Sequence, residues 1–375
     1  MKIALIVPGG VDRTGEYRVI PALLALIERL STRHELHVFA LRQERLPATW
    51  ELLGARIHNV GFGNTRFRAV RTVLAEHRRG PFDVVHAVWS GMSGFVAVLA
   101  GKLIGRPRLV HIAGGELVSF PEIGFGGRCK WRGRVQERFV LHGATALSAA
   151  SQPIVTLIRQ LGLDAQRVPL GVDLRAWPPT EPRPRNLSQP ARLIHVASLN
   201  KVKDQTTLLR AMALLASSQV DFELDVVGED TLDGETQALT HELGLENRVR
   251  FRGFLTQRQL LPVIRAADVL VMSSRHEAGP FVLLEAAAQG VPTVGTAVGH
   301  IAEWAPAATV AVPVGDAAAL AQAVRELLQS EELRLRIARE AQRRALQEDA
   351  DHTAVRFEAL YELLTEPRRH ALRSC

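Results

Sequence analysis

The chain is poor in features that would place it outside the cell or within a membrane. It has only two cysteines, Cys129 and Cys375, too few for a disulfide framework or a cysteine metal cluster. The apolar run Ile3 to Val7 is too short for a signal-peptide core. The stretch from Gly94 to Ile104 falls short of the roughly 20 apolar residues that span a bilayer. These absences predict a cytoplasmic protein in a reducing compartment.

Length and composition describe a folded protein of more than one domain. Its 375 residues predict two or three domains, and 47% hydrophobic with 23% charged residues is typical of globular chains. Residues 1–185 carry 26 Lys and Arg against 14 Asp and Glu, whereas residues 186–375 carry 20 against 25. A basic first half favours contact with an anionic surface, either a bilayer or nucleic acid. No nucleic-acid-binding motif is present to support the second reading.

Strand-like apolar runs alternate with helical periodicity along most of the chain. Strands are predicted at 3–7, 35–41, 84–86, 109–112, 144–147, 193–197, 224–227, 249–251, 269–272 and from 293. Helices are predicted at 18–30, 66–78, 91–104, 129–142, 206–216, 235–243, 280–289, 317–328, 331–346 and 352–364. This alternation indicates an α/β protein with doubly wound parallel sheets, whose ligands lie at the carboxyl ends of strands. The loop at 8–15, with Gly9 and Gly10, is therefore a candidate ligand loop, and an ordinary turn is the alternative.

The segment from Ala267 to His300 carries the strongest functional pattern. A buried strand at 269–272 leads through a loop to Pro280, at the expected first helical position. Gly290 occupies the expected position after the helix. Backbone N–H groups at such a helix start suit an anion. Glu277 and Glu285 would repel phosphate and are better acceptors for hydroxyl groups, and phosphate with flanking hydroxyls describes a nucleotide sugar.

The spacing of Glu277 and Glu285, followed by Ala286-x-x-x-Gly290-x-Pro292, resembles the Glu-x7-Glu signature of retaining glycosyltransferases of family 4. Two ordinary surface glutamates are the alternative. The resemblance covers nearly the whole chain and is strongest from 192 to 299. It implies the GT-B fold, in which two doubly wound Rossmann-like domains face a central cleft.

The resemblance and a proline-rich stretch at 177–190 together divide the chain. An N-terminal acceptor-side domain is expected at 1–175, a linker at 176–190 and a C-terminal donor-binding domain at 191–352. The last helix, within 353–375, is expected to pack back on the N-terminal domain.

A second resemblance concerns the donor diphosphate. Residues 197–204 resemble the family's Gly-Arg-Leu-x-x-x-Lys loop, in which Arg and Lys neutralise the diphosphate. Lys203 matches the lysine, whereas Ser198 stands at the arginine position, and Lys201 is a substitute cation. Phe254 is expected to flank the nucleobase, with a core aromatic as the alternative. Gly228 is expected to let the backbone approach the nucleotide, with a turn glycine as the alternative.

The N-terminal half departs further from the family pattern. Residues 110–116 resemble the strand that ends in His-Gly-x-Asp, with Glu116 at the position of the acid. Ala113 replaces the histidine that approaches the donor sugar. His111, two residues earlier, is the catalytic candidate, and a core histidine is the alternative. His86 is expected to be structural.

The resemblance implies a retaining, metal-independent hexosyltransferase that uses a UDP- or GDP-sugar, needs no other cofactor and serves polysaccharide or glycoconjugate biosynthesis. Glu277 would contact the donor sugar, Glu285 the ribose, and the leaving phosphate would accept the acceptor's proton. Backbone N–H donors would come from the segment formed by Gly279, Pro280, Phe281, Val282 and Leu283, in which the proline itself has no N–H. A non-catalytic nucleotide-sugar-binding subunit and an anionic-surface or nucleic-acid module are the alternatives.

Two cationic and aromatic segments, 66–71 and 128–134, bear on the acceptor. Such stretches can seat a helix on an anionic leaflet. They favour a glycan or lipid-linked saccharide acceptor and a peripheral position on the inner membrane face, and a merely solvated charged face is the alternative.

Overall fold

A computed structural model of the protein describes residues 1–373, and the side chains of residues 1–366. Cys375 and the end of the basic tail lie outside the described residues. The chain forms two compact units, residues 1–173 together with residues from 350 onward, and residues 174–349. Within the described part, no helix has both the length and the apolar character needed to cross a membrane.

The first unit is built on an eight-stranded sheet of order β3-β4-β2-β1-β5-β6-β7-β8. Its strands are β1 (Lys2–Val7), β2 (Glu35–Ala40), β3 (Ala48–Leu52), β4 (Ala55–Asn59), β5 (Val84–Val88), β6 (Arg108–Ile112), β7 (Ala146–Ala149) and β8 (Gln166–Arg167). Its helices are α1 (Pro21–Ser31), α2 (Thr65–Arg79), α3 (Met92–Leu103), α4 (Trp131–Gly143), α5 (Gln152–Gln160) and, from the end of the chain, α13 (Ala350–Arg373). All neighbouring strands are parallel except the β3–β4 hairpin.

The second unit has a six-stranded parallel sheet of order β11-β10-β9-β12-β13-β14. The strands are β9 (Ala191–Val196), β10 (Phe222–Val227), β11 (Val249–Gly253), β12 (Val269–Met272), β13 (Thr293–Thr296) and β14 (Val310–Val312). The helices are α6 (Gln205–Ser217), α7 (Glu235–Glu242), α8 (Gln257–Ala266), α9 (Phe281–Ala288), α10 (Gly299–Trp304), α11 (Ala317–Gln329) and α12 (Glu331–Gln347). Strands wind outward in both directions from β9 and β12, which is the doubly wound arrangement predicted from the alternation.

The long, strongly periodic elements are confirmed with small shifts at their ends, except that the last helix, predicted at 352–364, extends from Ala350 to Arg373. No predicted strand end is off by more than two residues, and β7 is displaced at both ends, to Ala146–Ala149 from 144–147. Sequence reasoning missed the β3–β4 hairpin, β8, β14, α5, α8 and α10. Of the missed strands, β3, β8 and β14 lie at sheet edges and β3 is partly exposed on both faces, whereas the interior strand β4 carries the polar residues Arg56, His58 and Asn59. Their apolar pattern is therefore weak.

Helix α13 contributes to the core of the first unit. Phe357 and Tyr361 are fully buried against the histidines of β5 and β6, and the Tyr361 hydroxyl lies 2.7 Å from His86 Nδ1. The Thr353 hydroxyl donates to the Pro169 carbonyl and accepts from the Gly171 N–H. These contacts explain why His86 is structural.

The proline-rich segment at 177–190 lies on the second unit rather than in solvent. Trp177 is buried, and the Thr180 N–H donates to the carbonyl of Ala288 at the end of α9. Gln342 of α12 donates to the carbonyls of both Thr180 and Ala288. Gly290 follows Gln289, the C-cap residue of α9. It has a φ of +69°, and an added Cβ would lie 2.7 Å from Pro182. The segment therefore covers and caps the end of α9.

We expect Gly290→Ala to destabilise the second unit more than Gly244→Ala. Gly244 has a similar φ of +66°, yet nothing lies within 4 Å of an added Cβ. Both variants incur left-handed backbone strain of about 1–2 kcal/mol, and only Gly290→Ala adds a clash, worth roughly 1–3 kcal/mol. Urea unfolding followed by tryptophan fluorescence measures the difference. Equal losses would show that Pro182 does not pack on α9.

Candidate functional site

The candidate donor-site residues follow neighbouring strands of the second sheet, all at its carboxyl edge. Ser198 and Lys203 come after β9, Gly228 after β10, Phe254 after β11 and Glu277 after β12. β9 and β12 pair directly, at the point where the strand order reverses. In open α/β sheets this point forms a crevice for ligands.

An ion pair joins the loops that follow β9 and β12. Lys203 Nζ lies 2.5 Å from Glu277 Oε1, and the Ser274 hydroxyl donates to the same oxygen at 2.7 Å. Glu277 is only 9% exposed, whereas the Lys203 side chain is 24% exposed. The lysine therefore compensates a largely desolvated carboxylate and keeps its own access to solvent.

Hydrogen bonds to backbone carbonyls hold these two loops together. The Arg275 N–H donates to the Val202 carbonyl at 2.8 Å, and the Ser273 hydroxyl donates to the Lys203 carbonyl at 2.8 Å. Gly299, with a φ of +48°, packs so closely that an added Cβ would lie 2.9 Å from the Glu277 carbonyl oxygen. The Lys203–Glu277 ion pair therefore lies on two loops whose backbones are held by these contacts.

Helix α9 begins one residue later than predicted. Pro280 is its N-cap, with extended backbone angles, and Phe281 is the first helical residue, so the assignment of Pro280 to the first helical position is wrong. The Leu283 N–H donates to the Pro280 carbonyl in a tight first turn. The end of the helix is as predicted, because the N–H groups of Gly290 and Val291 bond to the carbonyls of Ala287 and Ala286 in a Schellman arrangement.

Gly279 to Leu283 therefore surround a helix start, where N–H groups lie outside the intrahelical pattern and the helix dipole favours an anion. Gly279 is half-buried, as is Phe281, while Val282 and Leu283 are buried. Side chains of the last two residues belong to the core. Only their backbone is suited to binding.

Glu285 lies inside α9 and is 8% exposed. Burial raises the pKa of its carboxyl to about 7, and a hydrogen bond with Gln257 of α8 opposes the rise. Near neutral pH this carboxyl is therefore partly protonated, so it can donate a hydrogen bond as well as accept one.

The loop after β9 is organised around Gln205, which contacts buried His195 Nε2 at 3.2 Å and donates to the Ser198 carbonyl. The Ser198 side chain is exposed. Gly228, with a φ of +150°, packs so tightly on this loop that an added Cβ would lie 2.0 Å from the Ala197 carbonyl oxygen. Its requirement for glycine comes from this backbone contact. Phe254 is 56% exposed, which excludes the core-aromatic alternative.

Sequence reasoning missed Arg275. This residue lies in the loop after β12 and adds a second cation to Lys203, which lies in the loop after β9. Its Nε donates to Asp204 Oδ2 at 3.3 Å, and Asp204 in turn caps α6 through the Thr207 N–H. The position of Arg275 two residues before Glu277 was the available signal. Lys201, the substitute considered for the missing arginine, is exposed.

The glycine loop after β1 is held by the Gln43 side chain. Gln43 Oε1 accepts from the N–H groups of Gly10, at 2.7 Å, and Val11, at 3.1 Å. Gly10 has a φ of +82°, and an added Cβ would lie 2.6 Å from Ile20. Gly9 is half-buried beside Gln43. The loop is therefore a turn at the carboxyl end of β1 that Gln43 stabilises. The Gly10 N–H already donates to Gln43 Oε1.

Two further first-unit candidates are engaged in the protein's own structure. Glu116 accepts the Ser90 N–H at 3.0 Å, and burial raises the pKa of Glu116 while backbone N–H donors oppose the shift. His111 is fully buried, lies 3.0 Å from the Ser148 hydroxyl and packs edge-on against Phe357. Burial lowers the pKa of His111 to about 3. The geometry matches the core alternative for His111, because no substrate can reach a ring enclosed between the sheet and α13.

Two families match successive parts of the chain. A glycosyl transferase 4-like domain matches residues 19–172, and the family of glycosyl transferases group 1 matches residues 180–344. A 2-deoxystreptamine N-acetyl-D-glucosaminyltransferase of Streptomyces fradiae is 30% identical over 70% of this chain and 67% of its own length. The chain belongs to the family 4 type of GT-B glycosyltransferases.

A relative and a solved structure extend the comparison. EpsF of Bacillus subtilis (strain 168), assigned as a glycosyltransferase, is 32% identical over 64% of this family 4 chain, and the match spans 65% of the length of EpsF. The structure of HepE of Anabaena in complex with UDP-glucose covers 96% of this chain and 100% of its own, with a TM-score of 0.73 and 20% identity. At that identity the likeness shows the fold.

The raised pKa of Glu285 predicts a pH dependence of stability. The folded state holds this proton more tightly than the unfolded state, so its contribution is present below pH 4.5 and is lost as pH rises through about 7. The side chain of Glu285→Gln stays neutral at every pH. Between pH 4 and pH 8 we therefore expect the free energy of unfolding of wild type to fall by roughly 1–3 kcal/mol relative to that of the variant. Urea unfolding across this pH range measures the difference, and Glu242→Gln, at an exposed position, is the control. Parallel pH profiles for wild type and Glu285→Gln would contradict the shift.

Proposed function

We propose that the protein is a retaining glycosyltransferase that moves a hexose-type sugar from a UDP- or GDP-sugar to a glycan or lipid-linked saccharide, in polysaccharide or glycoconjugate biosynthesis. The observation that carries this proposal is the Lys203–Glu277 pair at the carboxyl edge of the second sheet, beside the start of α9. One cation, one carboxylate and a helix start provide what the phosphate and the sugar of such a donor require.

The diphosphate is assigned to Lys203 and the start of α9. Lys203 is partly exposed and its ammonium is a point charge with three donors, so it can contact phosphate while it keeps the bond to Glu277. The positive end of the helix dipole acts in the same direction. Negative charge that develops on the leaving diphosphate is stabilised by groups already in place, which is how electrostatic preorganisation lowers a barrier.

The donor's hydroxyl groups are assigned to the two carboxyls. Glu277, held by Lys203 and Ser274, accepts from hydroxyls of the sugar. Glu285, one turn into α9, contacts the ribose, and its raised pKa lets it donate or accept there. Phe254 presents an exposed ring that can flank the nucleobase. The UDP-glucose complex of HepE supports a nucleotide-sugar donor for a protein of this fold.

No side chain is assigned as general base, since His111 is enclosed in the core. The leaving phosphate oxygen takes the acceptor's proton as the new glycosidic bond forms on the same face. Protein cations and the helix start balance the diphosphate charge, so the proposed donor site requires no metal and no cofactor.

The acceptor is assigned to the first unit. The basic and aromatic surface of this unit favours an acceptor that is anionic or lipid-linked. Phe67 and Trp131 are 63% and 64% exposed, with Arg71 and Arg132 stacked on their respective rings. A Trp131 ring flanked by arginine is suited to an anionic leaflet. This supports a peripheral position on the inner membrane face.

Binding of nucleoside diphosphates tests the donor assignment. We expect one of UDP, GDP, ADP or dTDP to raise the melting temperature of wild type, since about 100 times its Kd adds about 2.7 kcal/mol. Lys203→Ala should weaken that binding at least tenfold, because the phosphates lose their point charge. Exposed Lys201→Ala is the matched control and should bind as wild type. No response to any diphosphate at millimolar concentration would overturn the assignment.

Turnover tests the role of Glu277. Glu277→Gln keeps the size of the side chain and removes its charge, and we expect release of nucleoside diphosphate from the donor to slow by about 10²–10³, with diphosphate binding within a few-fold of wild type. Glu242→Gln should turn over normally. Normal release by Glu277→Gln would reject its contact with the sugar. Diphosphate binding with no release by wild type, over a panel of donors and acceptors, would favour a non-catalytic binding subunit.

A further inference from the structure

The first unit contains a cluster of metal-ligating side chains that the proposed transfer reaction does not use. His37 on β2, His58 on β4 and Glu76 on α2 are each 5% exposed. One ligand atom from each lies within 4.8 Å of the other two. Three residues from three different elements thus bring two imidazoles and one carboxylate to a single point.

The distances within the cluster are close to those of a coordination sphere. His37 Nδ1 lies 3.0 Å from His58 Nε2 and 3.9 Å from Glu76 Oε2. Ligands bound tetrahedrally to Zn²⁺ at 2.0–2.1 Å are about 3.3 Å apart. These two separations bracket this value and the third is at most 4.8 Å, so an ion would replace the hydrogen-bond contact between the two rings and draw the three side chains together.

Neighbouring groups orient each of these side chains. His37 Nε2 lies 3.1 Å from Glu35 Oε1, which leaves Nδ1 with its lone pair toward the cluster when Nε2 carries the proton. A carboxylate on the outer nitrogen is the usual support of a metal-bound histidine. The His58 ring stacks on Phe39, with centroids 4.8 Å apart and planes 12° from parallel.

The cluster lies at the wall of a groove. His58 and Glu76 line this groove of about 770 Å³, together with four arginines of α2, namely Arg68, Arg71, Arg78 and Arg79. Arg79 is paired with Glu76 Oε1, and Oε2 remains on the side of the histidines. The positive groove lowers the affinity for a bare cation and favours an anion or hydroxide as the fourth ligand.

We propose that His37, His58 and Glu76 form a binding site for a divalent transition-metal ion of the Zn²⁺ type, with Glu35 positioning His37. Two imidazoles and one carboxylate are a ligand set that Zn²⁺ favours, and they leave one open position. An ion there would tie α2 to β2 and β4. The site belongs to the first unit and is separate from the donor residues of the second.

Metal counting on the full chain tests this proposal, with both cysteines replaced by serine so that thiols do not compete. After equilibrium dialysis against Zn²⁺, we expect one ion per chain. Glu76→Gln and His58→Gln should each weaken binding at least tenfold, while His142→Gln, an exposed histidine of the same unit, should bind as the parent. Replacement by Co²⁺ should give the visible absorption of a tetrahedral site in the parent and in His142→Gln only.

Several results would overturn the proposal. They are a parent that retains no ion, retention that is equal in all variants, or loss of the ion in His142→Gln. Circular dichroism checks that each variant is folded. If His58→Gln does not fold, Glu76→Gln decides, because it leaves both rings and their stacking in place. Undiminished Zn²⁺ binding by Glu76→Gln would then reject the site.

Discussion

The pairing of β9 with β12 is the constraint on which the proposed donor site depends. These strands lie side by side although they are 76 residues apart, held at one end by Arg192 N–H to Asp268 and at the other by His195 Nδ1 to the Val271 carbonyl. Because both strands run in the same direction, the loops that follow them leave the same edge of the sheet. Lys203 and Glu277 meet there for that reason.

Charge at this edge is arranged before any ligand arrives. The protein holds Glu277 with Lys203 and Ser274, and it keeps Glu285 in an environment where burial raises its pKa. Both carboxyls carry a desolvation penalty that the rest of the unit must support. Such a penalty is typical of functional sites, where strained electrostatics are retained for binding or chemistry.

The first unit uses its comparable residues differently. Gly10 is bonded to Gln43 of the loop after β2, Glu116 is bonded to Ser90 of the loop after β5, and His111 is part of the core that α13 completes. His37, His58 and Glu76 of this unit instead lie close together, and two of them, His58 and Glu76, line a groove shared with arginines of α2. The two sheets share one winding pattern, yet their chemistry is concentrated in different places.

Sequence alone determined the doubly wound class, most elements and the Gly290 cap, and it singled out Lys203, Glu277 and Glu285 as candidate site residues. Each of these depends on local periodicity, on spacing along the chain or on the family resemblance carried by the motifs. The β3–β4 hairpin, the packing of 177–190 on α9, the enclosure of His111, the Arg275–Asp204 pair and the His37–His58–Glu76 cluster were decided by tertiary structure. They rest on contacts between residues far apart in the chain, and on burial, neither of which leaves a periodic or positional signal in the sequence.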